Sequence, residues 1–376
     1  MPWKGVATVV DVRLSFVGQV LAGQPIASLC RQFGISRKTA YKWLTRYRCD
    51  GVGGLRDRSR RPRSSPRSTP TRIEQAILAT RDRYHWGAAK IHAHLDRTTS
   101  LPLPSVTTVH AILKRKDRLQ PPTKPERPLQ RFEAQGPNLL WQMDFKANLE
   151  IQRQLIYPLT ILDDHSRYLL AVTACPNTRH RTAWAVLWDL MGHVGMPQAV
   201  LADNYFGNRG RIGISWFESQ LVRLGIAPCH GRIYHPQTQG KVERIHGTLE
   251  RELFAHLETT SLAAFNRELE HWRTDIYNTL RPHEALDMQA PITRWKPSPR
   301  KRPPDVPPIE YAQGCILRKV HPAGCISYRN CRILVGMGIA GQYVRIEERD
   351  QTVAILYGPK RIRLVPVHRL KPNHLL

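Results

Sequence analysis

Asp144, Asp203 and Glu243 are acids in places where an acid needs a reason. Asp144 interrupts the run Leu139-Leu140-Trp141-Gln142-Met143, and a charge inside an otherwise apolar strand is costly unless compensated. Asp203 closes Val200-Leu201-Ala202, the carboxyl end of a short buried strand, where open α/β sheets gather their ligands. Glu243 lies beside Val242 on the apolar line of a helix, from which its side chain can lean toward a sheet. Converging carboxylates hold hard divalent cations, Mg2+ or Mn2+. Two such ions activate an attacking oxygen and stabilise a leaving one in an in-line displacement at phosphorus. Taken singly, each acid has a plainer use. An Asp at a strand end serves as a turn former or helix cap, and Glu243 as an i, i+4 ion-pair partner. Asp163 and Asp164 could also be ligands, but turn chemistry explains them better.

The chain around these acids is strongly basic. Its 376 residues carry 57 Lys and Arg against 30 Asp and Glu, a net charge of +27, which attracts a polyanion, nucleic acid being the commonest. A merely solvated basic surface is the bland alternative, but the cations gather in linkers and on helix faces. No apolar run is long enough to span a membrane, and the N-terminus has no apolar leader with a small-residue cleavage site, so a cytoplasmic protein is expected. The seven cysteines are scattered without a C-x-x-C pair, which points to reduced thiols.

The elements that must position the acids follow from periodicity. Val9 to Leu21 reads as a helix, Pro25 to Phe33 as a second, and Gly34 as its stop. Ser36 caps a third helix whose buried stripe is Ala40, Trp43, Leu44 and Tyr47. Arg37, Lys38, Lys42 and Arg46 lie off that stripe, so the unit reads as a helix-turn-helix that presents a basic helix to a DNA groove; an ordinary three-helix bundle is the alternative. We place this DNA-binding domain at 1–55. Residues 56–72 form a basic linker in which Arg60 and Arg61 could follow phosphates. A second helical DNA-binding domain spans 73–120, with Ser105 as a cap, and a Pro-rich linker spans 121–134.

From 135 to 300 the pattern is mixed strand and helix. Strands are expected over 138–146, 155–162, 168–173 and 199–202, with Asp163 to Arg167 as a turn. Helices are expected over 182–194, 216–224 and 240–257, and from Ser261 onward. Short runs between Gly, Asp and Pro turns over 311–376 predict a small β-barrel.

Six segments carry a family resemblance. His235-Pro236-Gln237-Thr238-Gln239-Gly240-Lys241-Val242-Glu243-Arg244, Trp141-Gln142-Met143-Asp144, Leu162-Asp163-Asp164-His165-Ser166-Arg167-Tyr168 and Asp203-Asn204 resemble hallmarks of transposases and integrases with a retroviral-integrase-like core. Arg281-Pro282-His283-Glu284-Ala285-Leu286 resembles the segment that follows that core in bacterial insertion-sequence DDE transposases. Phe33-Gly34-Ile35-Ser36-Arg37-Lys38 is similar to the same group. The resemblance implies an RNase H-like core in which Asp144, Asp203 and Glu243 are both the catalytic residues and the ligands of two Mg2+ or Mn2+ ions. Lys241 and Arg244 would then clamp DNA phosphates, their plain alternative being helix solubility. It further implies binding to terminal inverted repeats, cleavage, and strand transfer into target DNA by a homodimer or higher multimer. The sequence departs from the family's Asp-Asn-Gly at Tyr205, and no zinc module precedes the core. The rival expectation is a catalytically inactive DNA-binding regulator derived from a transposase.

Overall fold

The first helix, α1 (Val9–Leu21), starts on a capping box in which Thr8 and Asp11 exchange side-chain and backbone bonds. Helix α2 (Ile26–Gln32) follows, the chain turns at Gly34 with φ +64°, and Ser36 caps α3 (Arg37–Asp50) through the Thr39 amide at 3.2 Å. Phe16, Val17, Leu29, Ala40, Leu44 and Leu55 form their common core, as the apolar stripe predicts. The computed structural model describes residues 8–59, 68–119, 133–151, 153–203, 206–207, 213–230, 240–257 and 261–370. It divides into two units, 1–68 and 69–376.

The larger unit begins with three helices, α4 (Thr71–Tyr84), α5 (Ala88–Thr98) and α6 (Val106–Arg115), the last capped by Ser105 as expected. Their core of Ile77, Trp86, Ile91 and Val109 also takes in Ile276 and Leu280 from far along the chain.

Next comes a mixed sheet. Its strands are β1 (Leu140–Phe145), β2 (Leu149–Ile151), β3 (Gln154–Asp163), β4 (Leu169–Cys175), β5 (Ala199–Ala202) and β6 (Ala227–His230). Strand β3 lies antiparallel between β1 and β4, while β1, β5 and β6 run parallel. Helices α7 (His180–Val194) and α8 (Trp216–Arg223) pack on one face around Trp141, Met143, Leu187 and Phe217. Helices α9 (Gly240–Glu252) and α10 (Leu262–His271) cover the other, with Val242, Ile245, Leu249 and Leu269 buried against Leu162 and Val172. Both faces of the sheet are thereby covered, as parallel pairing requires. Two asparagines grip β4: Asn266 bonds the Ala174 amide at 2.7 Å and its carbonyl at 3.3 Å, and Asn278 bonds those of Leu169 at 2.8 and 2.9 Å.

Helix α9 is shorter than its apolar line, which runs on to Leu257. It ends at Glu252 and a separate 3-10 turn covers Phe254–His256. Glu252 is drawn into a buried ion pair with Arg281 at 2.8 Å; the two side chains are 6% and 5% exposed. Trp86 Nε1 also donates to Glu252 at 3.3 Å, and Lys90 stands 3.9 Å away. One carboxylate thus ties the α4–α6 group to α9 and to the segment after α10.

The last region holds β7 (Ile316–Lys319), β8 (Cys325–Tyr328), β9 (Cys331–Leu334), β10 (Tyr343–Arg349), β11 (Thr352–Tyr357) and β12 (Lys360–Pro366). The expected small barrel is corrected here to two open sheets, β12-β11-β10-β7 and the hairpin β8-β9. Among the described residues no ladder joins them. The hairpin closes on itself through Arg329 and Asn330 at positive φ, and beyond β9 the Val335 and Gly336 amides bond back to Gly324. Both sheets still share one core, which also contains Ile214 and Val222 from the α8 region. Gly213, at φ +95°, lies against the Val335 carbonyl, and Gly338 against the Ile214 carbonyl; a Cβ at either would strike backbone.

Removing the charge of Glu252 leaves the Arg281 guanidinium buried and uncompensated. Glu252→Gln is expected to cost about 3–5 kcal/mol in chemical denaturation, while an exposed change such as Glu150→Gln costs almost nothing.

Candidate active site

Strands β1 and β5 pair in parallel with Met143 opposite Ala202, so Asp144 and Asp203 lie one residue further along on neighbouring strand ends. Trp141 and Met143 face the α7–α8 core, which turns Gln142 and Asp144 to the α9 side. The Phe206 amide bonds the Asp203 carbonyl at 3.0 Å, and the Phe206 ring is buried against Phe145, Phe217 and His180. Ser215 Oγ donates to the Phe206 carbonyl at 2.6 Å. Tyr205, where the sequence departs from the family pattern, lies outside the described residues.

Three polar links set α9 along β1 and β3. Lys241 Nζ meets Asp164 Oδ1 at 2.5 Å, His246 Nε2 lies 3.1 Å from Thr160 Oγ1, and Lys146 Nζ meets Glu250 at 2.5 Å. Thr160 is the register partner of Asp144. Glu243 falls between the first two links, so it is carried past Asp144, with its side chain exposed. Burial, followed by Lys146, lowers the His246 pKa to about 4, so the imidazole is neutral near pH 7.

The electrostatics register this proximity. Burial first, then the negative charge of Asp203 and lastly that of Glu243, push Asp144 up to about 7, against a hydrogen bond from the Phe145 amide. Among the described residues, no three His, Cys, Asp or Glu side chains are grouped closely enough to hold a metal ion, so Glu243 shares the field of the two aspartates without closing on them. The segment 231–239 that leads into α9, including His235, lies outside the described residues.

The other expected site residues fall into three sets. Arg37, Lys38 and Lys42 are exposed on α3 and Arg46 is half-buried. Arg60 and Arg61 lie outside the described residues. Arg244 is exposed, but Lys241, expected to clamp DNA, has its ammonium committed to Asp164. The turn also differs from its simplest reading. Asp163 is the turn former, accepting from the Ser166 amide and hydroxyl, whereas the wholly buried Asp164 accepts from Ala134 N, Gln142 Nε2 and Lys241.

A further buried carboxylate escaped the sequence reading. Glu218 caps α8 and accepts from His230 Nε2 at 3.0 Å and Lys360 Nζ at 2.9 Å. Burial works to raise it, but the bonds from His230, the Ser215 amide and Lys360 win and hold it down at about 2. Gly207, in the chain after Asp203, stands against the His230 ring, where an added Cβ would sit at 3.0 Å. The sequence signal for Glu218 was its capping box, Ser215-x-x-Glu218; nothing local marks Lys360.

Comparison with known proteins places these features in domains. Residues 12–63 match a helix-turn-helix domain, 39–113 a homeodomain-like domain, and 134–236 and 224–291 an integrase core domain. The chain is 22% identical over 316 residues to the transposase for transposon Tn552 of Staphylococcus aureus, covering 73% of this chain and 64% of that one. It is 27% identical over 162 residues to the Pol polyprotein of feline endogenous virus ECE1, covering 42% of this chain and 15% of the polyprotein. The simian T-cell lymphotropic virus intasome in complex with PP2A regulatory subunit B56 gamma contains a similar chain. It matches at 17% identity and TM-score 0.38, covering 77% of this chain and 95% of that one. The chain thus spans less than two thirds of the length of the Tn552 transposase and of the feline Pol polyprotein.

Asp144 makes stability depend on pH. Its folded pKa of about 7 stands above the 3.8 of the unfolded chain, so the native state keeps a proton that the unfolded state has released. Stability therefore falls as pH rises from about 4 to about 7, and the loss is complete above that. In chelator, Asp144→Asn is expected to raise stability by up to about 4 kcal/mol at pH 8 and by almost nothing at pH 4, read by thermal melts at the two pH values.

Proposed function

We propose that this chain, with helix-turn-helix domains ahead of an integrase core domain, is a transposase that binds the terminal inverted repeats of a mobile element and performs metal-dependent cleavage and strand transfer. The observation that carries the reading is the juxtaposition of Asp144 and Asp203 on parallel strand ends with Glu243 on the helix beside them. Burial first, and then the charges of these neighbours, raise Asp144 to about 7. An all-oxygen set in which the charges of Asp203 and Glu243 add to the rise of Asp144 suits a hard divalent cation, Mg2+ or Mn2+.

Asp144, Asp203 and Glu243 would hold two ions. When bound, these ions would supply Lewis-acid activation of the attacking oxygen and stabilise the leaving one. Asp144 must give up its proton to serve as a ligand, which the positive charge favours. The Phe206 turn holds Asp203 at its strand end. Glu243, exposed on the first turn of α9, joins by turning its side chain toward the strands. Arg244 beside it offers an exposed guanidinium to a phosphate. Arg37, Lys38 and Lys42 form an exposed basic edge on α3, suited to a groove of duplex DNA, with Arg46 partly behind it. Two element ends must be joined to one target, so the working form is a multimer of this chain. The domain limits that go with this reading are 1–55, 73–120 and 135–300, with a DNA-contacting linker between the first two that includes Arg60 and Arg61.

The test is Mg2+- or Mn2+-dependent 3′-end nicking of a terminal-repeat duplex. Asp144→Asn, Asp203→Asn and Glu243→Gln are each expected to lower it by more than about a hundredfold, since even outer-shell partners of metal ligands cost that much. Duplex binding, measured by gel shift, should stay within about twofold, because the helical domains carry it. Nicking retained by all three variants would sink the assignment, and specific binding without any nicking by the wild-type chain would leave a DNA-binding regulator.

A further inference from the structure

Asp164 is a carboxylate with no exposed surface, in the turn between β3 and β4. Lys241 supplies its one ion-pair partner among the described residues, at 2.5 Å, and also donates to the Asp164 carbonyl at 3.2 Å. The lysine side chain is 18% exposed, so most of its stem is packed away from solvent. Gln142, two residues before Asp144 on the same strand, donates to the same carboxylate at 2.6 Å. One buried charge therefore touches the strand that carries Asp144 and the helix that carries Glu243.

The lysine stands two residues before Glu243, in the first turn of α9. First turns lack intrahelical partners for their amides and are where helices fray. The links at His246 and Glu250 lie further along, and Glu250 is 58% exposed, which makes its pair with Lys146 a weak tether. Breaking the Asp164 pair strands a charge with no route to water, whereas breaking the Glu250 pair costs little.

We propose that the Lys241–Asp164 pair is a positioning device. It pins the first turn of α9 to the strand edge and so sets where the Glu243 carboxylate stands relative to Asp144. Lys241 is then a positioning residue and makes no phosphate contact. This rests on the reading of the three acids as metal ligands.

The experiment uses the full chain with Lys241→Met, Asp164→Asn and the double variant. Mn2+ binding is followed by the electron paramagnetic resonance of the free ion, and amide exchange by mass spectrometry over 240–249. Binding to a terminal-repeat duplex is measured against salt. Each single variant should weaken Mn2+ binding by about tenfold, as loss of an outer-shell partner does. The double variant should do no worse than the singles, since the two residues act as one unit. Exchange should quicken at 242–245, and duplex affinity and its salt slope should stay as in the wild type. The proposal is overturned if Lys241→Met lowers duplex affinity and cuts the salt slope by about 1, the mark of a lost phosphate contact. Additive losses in the double variant, or unchanged exchange, overturn it equally. If Asp164→Asn does not fold, the exchange, Mn2+ and salt measurements on Lys241→Met decide alone. Should the wild-type chain bind no Mn2+, the metal reading fails, and exchange over 242–245 still decides whether the pair pins the turn.

Discussion

Trp141 to Met143 pair in parallel with Val200 to Ala202, and this short ladder fixes how closely two like charges approach. Neighbouring strands stand about 4.8 Å apart, so residues just past the last pair cannot avoid one another. A sheet that set β1 and β5 antiparallel would send Asp144 and Asp203 to opposite edges. The faces matter as much. Because Met143 and Ala202 are in the α7–α8 core, alternation delivers Asp144 to the side where α9 lies, and the remaining packing serves to bring that helix past it.

Buried charge organises that packing. Glu252 with Arg281, Glu218 with Lys360 and His230, and Asp164 with Lys241 are each a carboxylate shut from water and answered by a cation from a distant part of the chain. Such pairs add little net stability but tolerate few alternative arrangements. Each joins a different part to the core: the α4–α6 group through Glu252, the C-terminal sheets through Glu218, and the first turn of α9 through Asp164. The Arg281 segment, prominent in the sequence, has in this structure the work of holding the end of α9.

Much of this was legible beforehand, and the failures have physical causes. Helices with a clear stripe and a side-chain cap were read closely: Ser36 and Ser105 cap where expected, and the helix expected from Ser261 onward is capped by that serine. Strand β6 was missed because Ala227-Pro228-Cys229-His230 is short and contains a proline, tolerated at this position at the edge of the sheet. The apolar line of α9 continues to Leu257, yet the helix stops at Glu252, whose carboxylate is held by Arg281, a tertiary contact that periodicity does not report. Asp163 and Asp164 are alike in sequence and differ in duty, since the partner of Asp164 is 77 residues away and leaves no local mark. The three acids were placed on their elements, but the burial and the neighbouring charges that raise Asp144 needed the strand register and the path of α9.

The asparagine grips on β4 have a consequence for the edge of the sheet. Strand β4 is the outer strand beside β3, and such a strand is a template on which another polypeptide can grow the sheet. Here the side chains of Asn266 and Asn278 stand in for that missing neighbour, taking both backbone groups of Ala174 and of Leu169. Each amide is planar, with one donor and one acceptor side by side, so it mimics a peptide unit of a further strand. The rim is sealed from within at both ends. A further strand is thereby kept from adding to the sheet at Ala174 and Leu169.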